Sequence, residues 1–231
     1  MAGERVVIGV DFSSAITHAA PWVRRHIVPH AELVLAHAAE HADVPSFLRP
    51  LLPGDDEQRA RELRETETRL ADWRDAAGLS DARLVVREGR ADRVLREVAR
   101  EISADVTVIG AHGGRDRPWL RLGTTAERLL RAAETSLLVV RGAMADAPRR
   151  IVVAVDDAGI TPRVLAIAGT LADRFDARLH AVHVLSTGVY SHLASMEAIE
   201  SHGDAEKARA KLEADMASEA LRWLTGLWRN T

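Results

Sequence analysis

The sequence contains no cysteine. That absence excludes disulfides, thiol catalysis and zinc sites built on thiolates. Lysine is almost missing, occurring only as Lys207 and Lys211, and arginine supplies every other base. The first 206 residues therefore hold no Walker lysine, no Schiff-base lysine and no catalytic lysine. A P-loop NTPase is excluded on that ground and on spacing. No apolar run approaches the ~18 residues that a membrane span needs. Met1 to Arg5 lead directly into a strand pattern, so no cleavable leader is expected. Charge of one sign is also lacking. A formal net charge of −3 over 231 residues gives no strong pull toward nucleic acid or an anionic membrane. The expectation is a soluble, cytoplasmic protein. Its hydrophobic content of 47% suffices for a substantial core in one or two domains.

The most informative positive feature is the segment TVIGAHGGRDRPWLRLGTTAERLL, with Gly110, Gly113, Gly123 and Thr124 in the spacing G-x2-G-x9-G-T. A buried-strand pattern (Val106, Val108, Ile109) runs into it, and a helical pattern from Thr125 to Ala132 runs out. Glycine lets backbone N–H groups approach an anion with no Cβ in the way. The first turn of a helix adds unpaired donors and a positive dipole end. Thr124 can supply a hydroxyl and cap the helix. This is the context in which an α/β protein places a phosphate-binding loop.

The chain also repeats itself. Arg5-Val-Val-Ile-Gly-Val-Asp11 matches Arg150-Ile-Val-Val-Ala-Val-Asp156, and Glu32-Leu-Val-Leu-Ala-His37 matches Arg178-Leu-His-Ala-Val-His183 at nearly the same offset. Internal duplication is the simplest account. The first unit reads as strands at Val6 to Val10, Leu33 to Ala38, Arg83 to Arg87, Val106 to Gly110 and Ser136 to Arg141. Helices are expected near Ser14 to Val28, Asp55 to Ala77, Arg90 to Ile102 and on to about Ala133. Apolar strands separated by helices argue for a parallel sheet covered on both faces. After a linker around Pro148, the second unit offers strands at Ile151 to Val155 and Arg178 to Val184. It adds helices near Pro162 to Phe175 and Asp204 to Trp228, with no second glycine motif. The expected domains are residues 1–146 and a truncated unit at 149–231.

These features resemble the universal stress protein family, in its ATP-binding branch and in a tandem arrangement. The residues that carry the resemblance are Gly9-Val10-Asp11-Phe12-Ser13, Ala36-His37-Ala38, Glu88-Gly89-Arg90-Ala91-Asp92-Arg93-Val94 and the glycine motif. The resemblance implies an α/β fold: a doubly wound five-stranded parallel sheet of order 3-2-1-4-5, adenine nucleotide α-hydrolase-like, followed by a partial repeat. Ligands of such folds bind where the strand order reverses, at the carboxyl ends of strands one and four. The resemblance further implies a role for each site residue. Gly9 and Asp11 would meet the adenosine end, Ala38 would offer backbone groups to adenine, and Ile109 would pack on the base. Gly110 and Gly113 would let the chain pass close to ribose and phosphate, and Gly123, Thr124 and Thr125 would bind the phosphates. The implied cofactor is ATP, with Mg2+ carried on the phosphates. Gly114 departs from the pattern as an added glycine.

Other residues carry two readings. Asp11 serves a ligand or caps the following helix. Arg115, Arg117 and Arg121 neutralise phosphate or simply face solvent. His18, His26, His30, His37 and His41 lack the spacing of a metal site and read as scattered core and surface residues. Trp22, Trp73, Trp223 and Trp228 read as packing residues, and Trp119 as a lid or interface contact. The charged C-terminal helix carries Ala208, Leu212, Met216 and Leu221 or Trp223 on one stripe.

The functional expectation is an ATP-binding stress or signalling protein in which nucleotide is a regulatory ligand, not a substrate turned over quickly. A nucleotidyltransferase or ATP pyrophosphatase would need an HxGH or SGGxDS-type loop after strand one, and Gly9 to Ser14 has neither. A third reading is an interaction module with a vestigial glycine loop. The second unit docks on the first, pairs with another chain as a homodimer, or belongs to a longer tandem protein.

Overall fold

The computed structural model describes residues 4–40, 55–112, 122–132, 134–142, 146–156, 159–184 and 205–229. The chain divides into two compact units, Met1–Asp146 and Ala147–Thr231.

In the first unit, β1 (Arg5–Gly9), β2 (Glu32–Ala39), β3 (Arg83–Glu88), β4 (Val106–Gly110) and β5 (Ser136–Val140) form one sheet. All its pairings are parallel and the order is β3-β2-β1-β4-β5. The expected topology is the one observed. Four helices alternate with the strands: α1 (Ser14–His26), α2 (Asp55–Ala76), α3 (Ala91–Glu101) and α4 (Thr124–Ala132). Strands β1 and β2 are apolar on both faces because both faces are covered. Val7, Val34, Ala36 and Ile109 share one face with Val94, Leu95 and Val98 of α3 and Ala126 and Leu129 of α4. Val6, Ile8, Leu33 and Leu35, alternating with these, are also fully buried.

The loops that feed the helices are tied by specific bonds. Ser13 precedes α1, and its hydroxyl accepts from the Ile16 N–H at 3.5 Å. The Trp73 indole of α2 donates to the Thr17 hydroxyl at 3.0 Å, which donates to the Ser13 carbonyl at 2.9 Å. Trp73 is thus a hydrogen-bonding residue as well as a packing one. Arg24 reaches from α1 to Asp81 in the turn before β3. Arg87 grips Glu101 through two bonds of 2.6 Å, joining β3 to the end of α3. Arg100 holds Glu134 at 2.6 Å. Both carboxyls are held below their usual range by the bonded guanidinium, Glu101 by Arg87 and Glu134 by Arg100.

The second unit has β6 (Arg150–Ala154), α5 (Thr161–Phe175), β7 (Arg178–Val182) and α6 (Ala205–Arg229). Its two strands pair in parallel, with Arg150 opposite Arg178 and Ala154 opposite Val182. The strand connections repeat those of the first unit closely. The Val10 N–H donates to the Ala36 carbonyl and the Val155 N–H to the Val182 carbonyl, both at 2.9 Å. The His37 ring bonds the Val10 carbonyl at 2.6 Å, and the His183 ring bonds the Val155 carbonyl at 2.8 Å. His37, read as one of a scattered set in the sequence, and His183 are thus a shared internal device of the repeat.

The core of this unit is small: Val153, Val155, Leu165 and Ala168, with Trp223 and Leu224 of α6 packed on it. The α6 stripe is corrected accordingly. Leu221 faces solvent at 65% exposure, whereas Leu212, Met216, Ala220 and Trp223 are half-buried at helical spacing. The side chains of Ala208 and Trp228 lie outside the described residues.

The repeat supplies a matched stability test. Val7 is fully buried, while its counterpart Val152 is 67% exposed. Val7→Ala is expected to lose about 2 kcal/mol in urea unfolding, and Val152→Ala to stay within about 0.5 kcal/mol of wild type. A second test concerns pH. A carboxyl with a lowered folded value adds stability above its unfolded value, and that gain is lost as pH falls through the folded one. The double variant Glu101→Gln, Glu134→Gln is therefore expected to show a shallower loss of urea midpoint below about pH 4 than wild type.

Candidate functional site

The ends of β1 and β4 meet at the point where strand order reverses, and a cavity of about 500 Å³ opens there. Gly9, Asp11, Ala38, Ile109, Gly110, Gly123, Thr124 and Thr125 all line it. Eight of the nine residues expected at a nucleotide site are thus brought together. The ninth, Gly113, lies outside the described residues, as do Gly114, Arg115, Arg117, Trp119 and Arg121.

The glycines differ in their reasons. A Cβ at Gly9 would stand 2.9 Å from the Leu95 side chain and 3.2 Å from that of Ile109, so any larger residue would have to push these side chains aside beneath the cavity. At Gly110 a Cβ would have only ordinary contacts. It would lie 3.9 Å from both Asp11 Oδ2 and Ser13 Oγ, on the approach to those polar groups. Gly123 is held by backbone. Its N–H donates to the Ala111 carbonyl at 2.8 Å, and a Cβ would approach that same oxygen to 3.1 Å. This close approach draws the start of α4 against the exit of β4.

Two sequence expectations are corrected here. The Glu127 N–H donates to the Gly123 carbonyl at 2.9 Å, so Gly123 occupies the position before the helix and Thr124 is its first residue. Thr124 cannot cap from inside the first turn. Without a side chain, Gly123 itself offers no side-chain cap to the first N–H groups of α4. Asp11 is likewise not a cap, because Ser13 is. Asp11 Oδ1 instead accepts from the Ser13 N–H at 3.0 Å and the Ser13 hydroxyl at 2.6 Å. That geometry orients the carboxylate, with Oδ2 on the Gly110 side.

The other helix start at the cavity is occupied by the protein's own acids. Glu40, beyond the end of β2, accepts from the Ala91 N–H of α3 at 2.9 Å. The Asp92 carboxylate, in the first turn of α3, lies 3.0 Å from Arg90 and 3.6 Å from Arg128. An anion entering the cavity therefore meets acceptors at α3 and, at α4, a helix start preceded by glycine.

Sequence reasoning missed three residues. His37 lines the cavity, and a carbonyl can only accept, so its Nδ1 carries the proton toward Val10 and Nε2 is left as an acceptor in the neutral ring. Phe12 has φ 57, a left-handed conformation that costs a non-glycine residue of order 1 kcal/mol. Its ring lies 4.8 Å from that of His37, and the Arg69 guanidinium sits 3.9 Å above it. His112 lines the cavity too, and its Nε2 is enclosed with no hydrogen-bond partner among the described residues. The signal available was position: His37 lies near the end of β2 and His112 inside the glycine motif. Among the described residues no group of three or more acids and histidines could hold a metal ion, and no helix is long and apolar enough to cross a membrane.

Known proteins share this fold. The family model described as "Universal stress protein family" matches residues 3–141 and, separately, 148–225. "Universal stress protein A homolog 2" of Coxiella burnetii is 29% identical over 111 residues, covering 48% of this chain and 75% of that protein. A universal stress protein from Archaeoglobus fulgidus DSM 4304 has the same fold, with a TM-score of 0.57 at 15% identity, over 92% of this chain and 84% of that one. The double match restates the internal duplication and accounts for all but short stretches of the sequence. The chain belongs to the universal stress protein family.

Proposed function

We propose that the first unit binds an adenine nucleotide, ATP by preference, in the cavity between β1 and β4, and that the nucleotide acts as a regulatory ligand in stress response or signalling. The observation that carries this reading is the junction at Gly123. The close approach to the Ala111 carbonyl sets the start of α4 at the mouth of β4, where phosphate oxygens can accept from backbone N–H groups.

The remaining residues fit the other end of such a ligand. Asp11, oriented through Oδ1, offers Oδ2 to a ribose hydroxyl or a base amine. Ala38 and His37 end the strand that flanks this side, and Ile109 and Leu95 give it an apolar floor. A base stacks against apolar side chains, while its edge is read by the few polar groups beside them. Thr124 and Thr125 add hydroxyls near the phosphates. A divalent cation, in this reading, is bound chiefly by the phosphates, because Mg2+ keeps most of its water and takes few protein ligands. The residues present bind, orient and partly desolvate the nucleotide.

Calorimetric titration with ATP and Mg2+ tests the reading, and AMP and cyclic AMP serve as comparisons. One ATP per chain is expected. Asp11→Asn keeps an acceptor for Ser13 but replaces Oδ2 with a donor, and should weaken binding by about ten- to a hundredfold. Gly110→Ala is expected to leave the fold intact, since an added Cβ meets its neighbours only at ordinary contact distance, and should weaken binding by crowding the approach to Asp11. A wild-type chain that takes up no adenine nucleotide would sink the proposal. Phosphate release assayed on the same samples separates the regulatory role from an enzymatic one. The expected outcome is less than one turnover within minutes, and sustained multiple turnover would make the protein an ATPase.

A further inference from the structure

The two ends of the cavity differ in what they offer a ligand. At the start of α4 stand Thr124 and Thr125, whose hydroxyls can donate, together with the backbone N–H groups of a first helical turn. At the other end, where β2 stops and α3 begins, the lining is Ala36, His37, Ala38, Glu40, Ala91 and Leu95. The alanines and the leucine leave room for an apolar ring. The two polar side chains both accept. The His37 Nδ1–H is spent on the Val10 carbonyl at 2.6 Å, so Nε2 of the neutral ring is an acceptor. Glu40 takes the Ala91 N–H on Oε1 at 2.9 Å, which leaves Oε2 to take a donor.

The donors that could answer them are engaged elsewhere. The Ala91 N–H, at the start of α3, is consumed by Glu40 itself. Arg90, the next residue back, is bound to Asp92 through bonds of 3.0 to 3.2 Å. Arg69 lies over the Phe12 ring. Beyond Glu40 the surface continues into a groove that Glu40 and His37 share with Glu62 and Glu65 of α2. Carboxylates disfavour phosphate here, so a nucleotide enters with its phosphates toward α4 and its base toward α3.

Bases divide by chemistry at such an end. The 6-amino group of adenine is a donor, and its two hydrogens can serve two acceptors. Guanine and hypoxanthine carry an oxygen at that position, and its lone pairs would face a carboxylate and an imidazole acceptor. An acceptor forced against another acceptor costs more than a bond that is merely absent. We infer, resting on the nucleotide reading of this cavity, that Glu40 and His37 select the base, admitting a 6-amino purine and rejecting a 6-oxo purine. Glu40 sets the discrimination. It lies one residue beyond β2 and outside the glycine motif, so the choice of base is separable from the hold on phosphate.

The test is calorimetric titration of the 231-residue chain with ATP, ITP and GTP, each with Mg2+, on wild type, Glu40→Gln and Glu40→Ala. In Glu40→Gln the amide oxygen keeps the Ala91 N–H, which turns the NH2 group toward the base. Wild type is expected to bind ATP at least about tenfold tighter than ITP or GTP. The ratio of ATP to ITP affinity is expected to fall at least about tenfold in Glu40→Gln, with ITP binding tighter than in wild type. Glu40→Ala, which removes the acceptor without adding a donor, should lie between the two. A purely structural role for Glu40 would weaken ATP and ITP by the same factor, and circular dichroism checks that each variant is folded. If neither variant folds, the wild-type comparison of ATP with ITP decides. Equal binding of ATP and ITP by wild type, or an unchanged ratio in the folded variants, overturns this assignment and leaves the nucleotide site standing. No uptake of ATP by wild type overturns both.

Discussion

Whether the second edge of the first strand is filled governs both halves of this protein. In the first unit β4 lies along β1, with Val6, Val7 and Ile8 paired to Val106, Thr107 and Val108. That pairing reverses the direction in which the sheet is built. The connections on either side leave to opposite faces, and the strand ends separate into a crevice. The cavity, the Gly123 junction and the placement of Asp11 beside Gly110 all follow from it. In the second unit the equivalent strand has one neighbour among the described residues. One duplicated sequence thus yields the cavity in one copy and, among the described residues, a two-stranded sheet in the other.

The cavity is organised by a contrast between two helix starts. Evolution of an anion site needs donors that nothing else consumes. At α3 the donors are taken up, since Glu40 accepts from Ala91 and the Asp92 carboxylate sits in the first turn. At α4 a glycine precedes the helix, its own N–H is spent on the Ala111 carbonyl, and the turn that follows has no cap from it. The same glycine that brings the helix close therefore sets no side chain over its first N–H groups. Asp11 shows a similar economy. One carboxylate oxygen builds the turn into α1 while the other faces the cavity.

Much of this was legible in the residues. The strand pattern, the helices between them and the repeat near an offset of 145 residues are carried by local periodicity, which depends on burial on one face or two. The glycine motif was legible because strand, loop and helix signals surround it. The errors were ones of local bonding. Thr124 and Asp11 are both good caps by residue type, yet the caps are Gly123 and Ser13, because a single backbone bond from Glu127 and a hydroxyl bond to Ile16 set the boundaries. His37 looked unremarkable in a row of histidines, since its partner, the Val10 carbonyl, is distant in sequence and close only across two strands.

The sequence by itself determined the class of fold, the duplication and the residues able to face a phosphate, since each rests on spacing within a short stretch of chain. It also excluded thiol chemistry, since the chain has no cysteine, and P-loop chemistry, since its first 206 residues hold no lysine. Tertiary structure decided which identical-looking valines are core and which are surface. Val7 and Val152 stand in matching strands, and only the presence of α3 and α4 over the first makes them different. Burial is a property of what lies across from a residue, and parallel strands take their neighbours from distant parts of the chain. For that reason the strand pattern of β6 could be read in advance, while its one neighbour among the described residues could be seen only once the sheet was assembled.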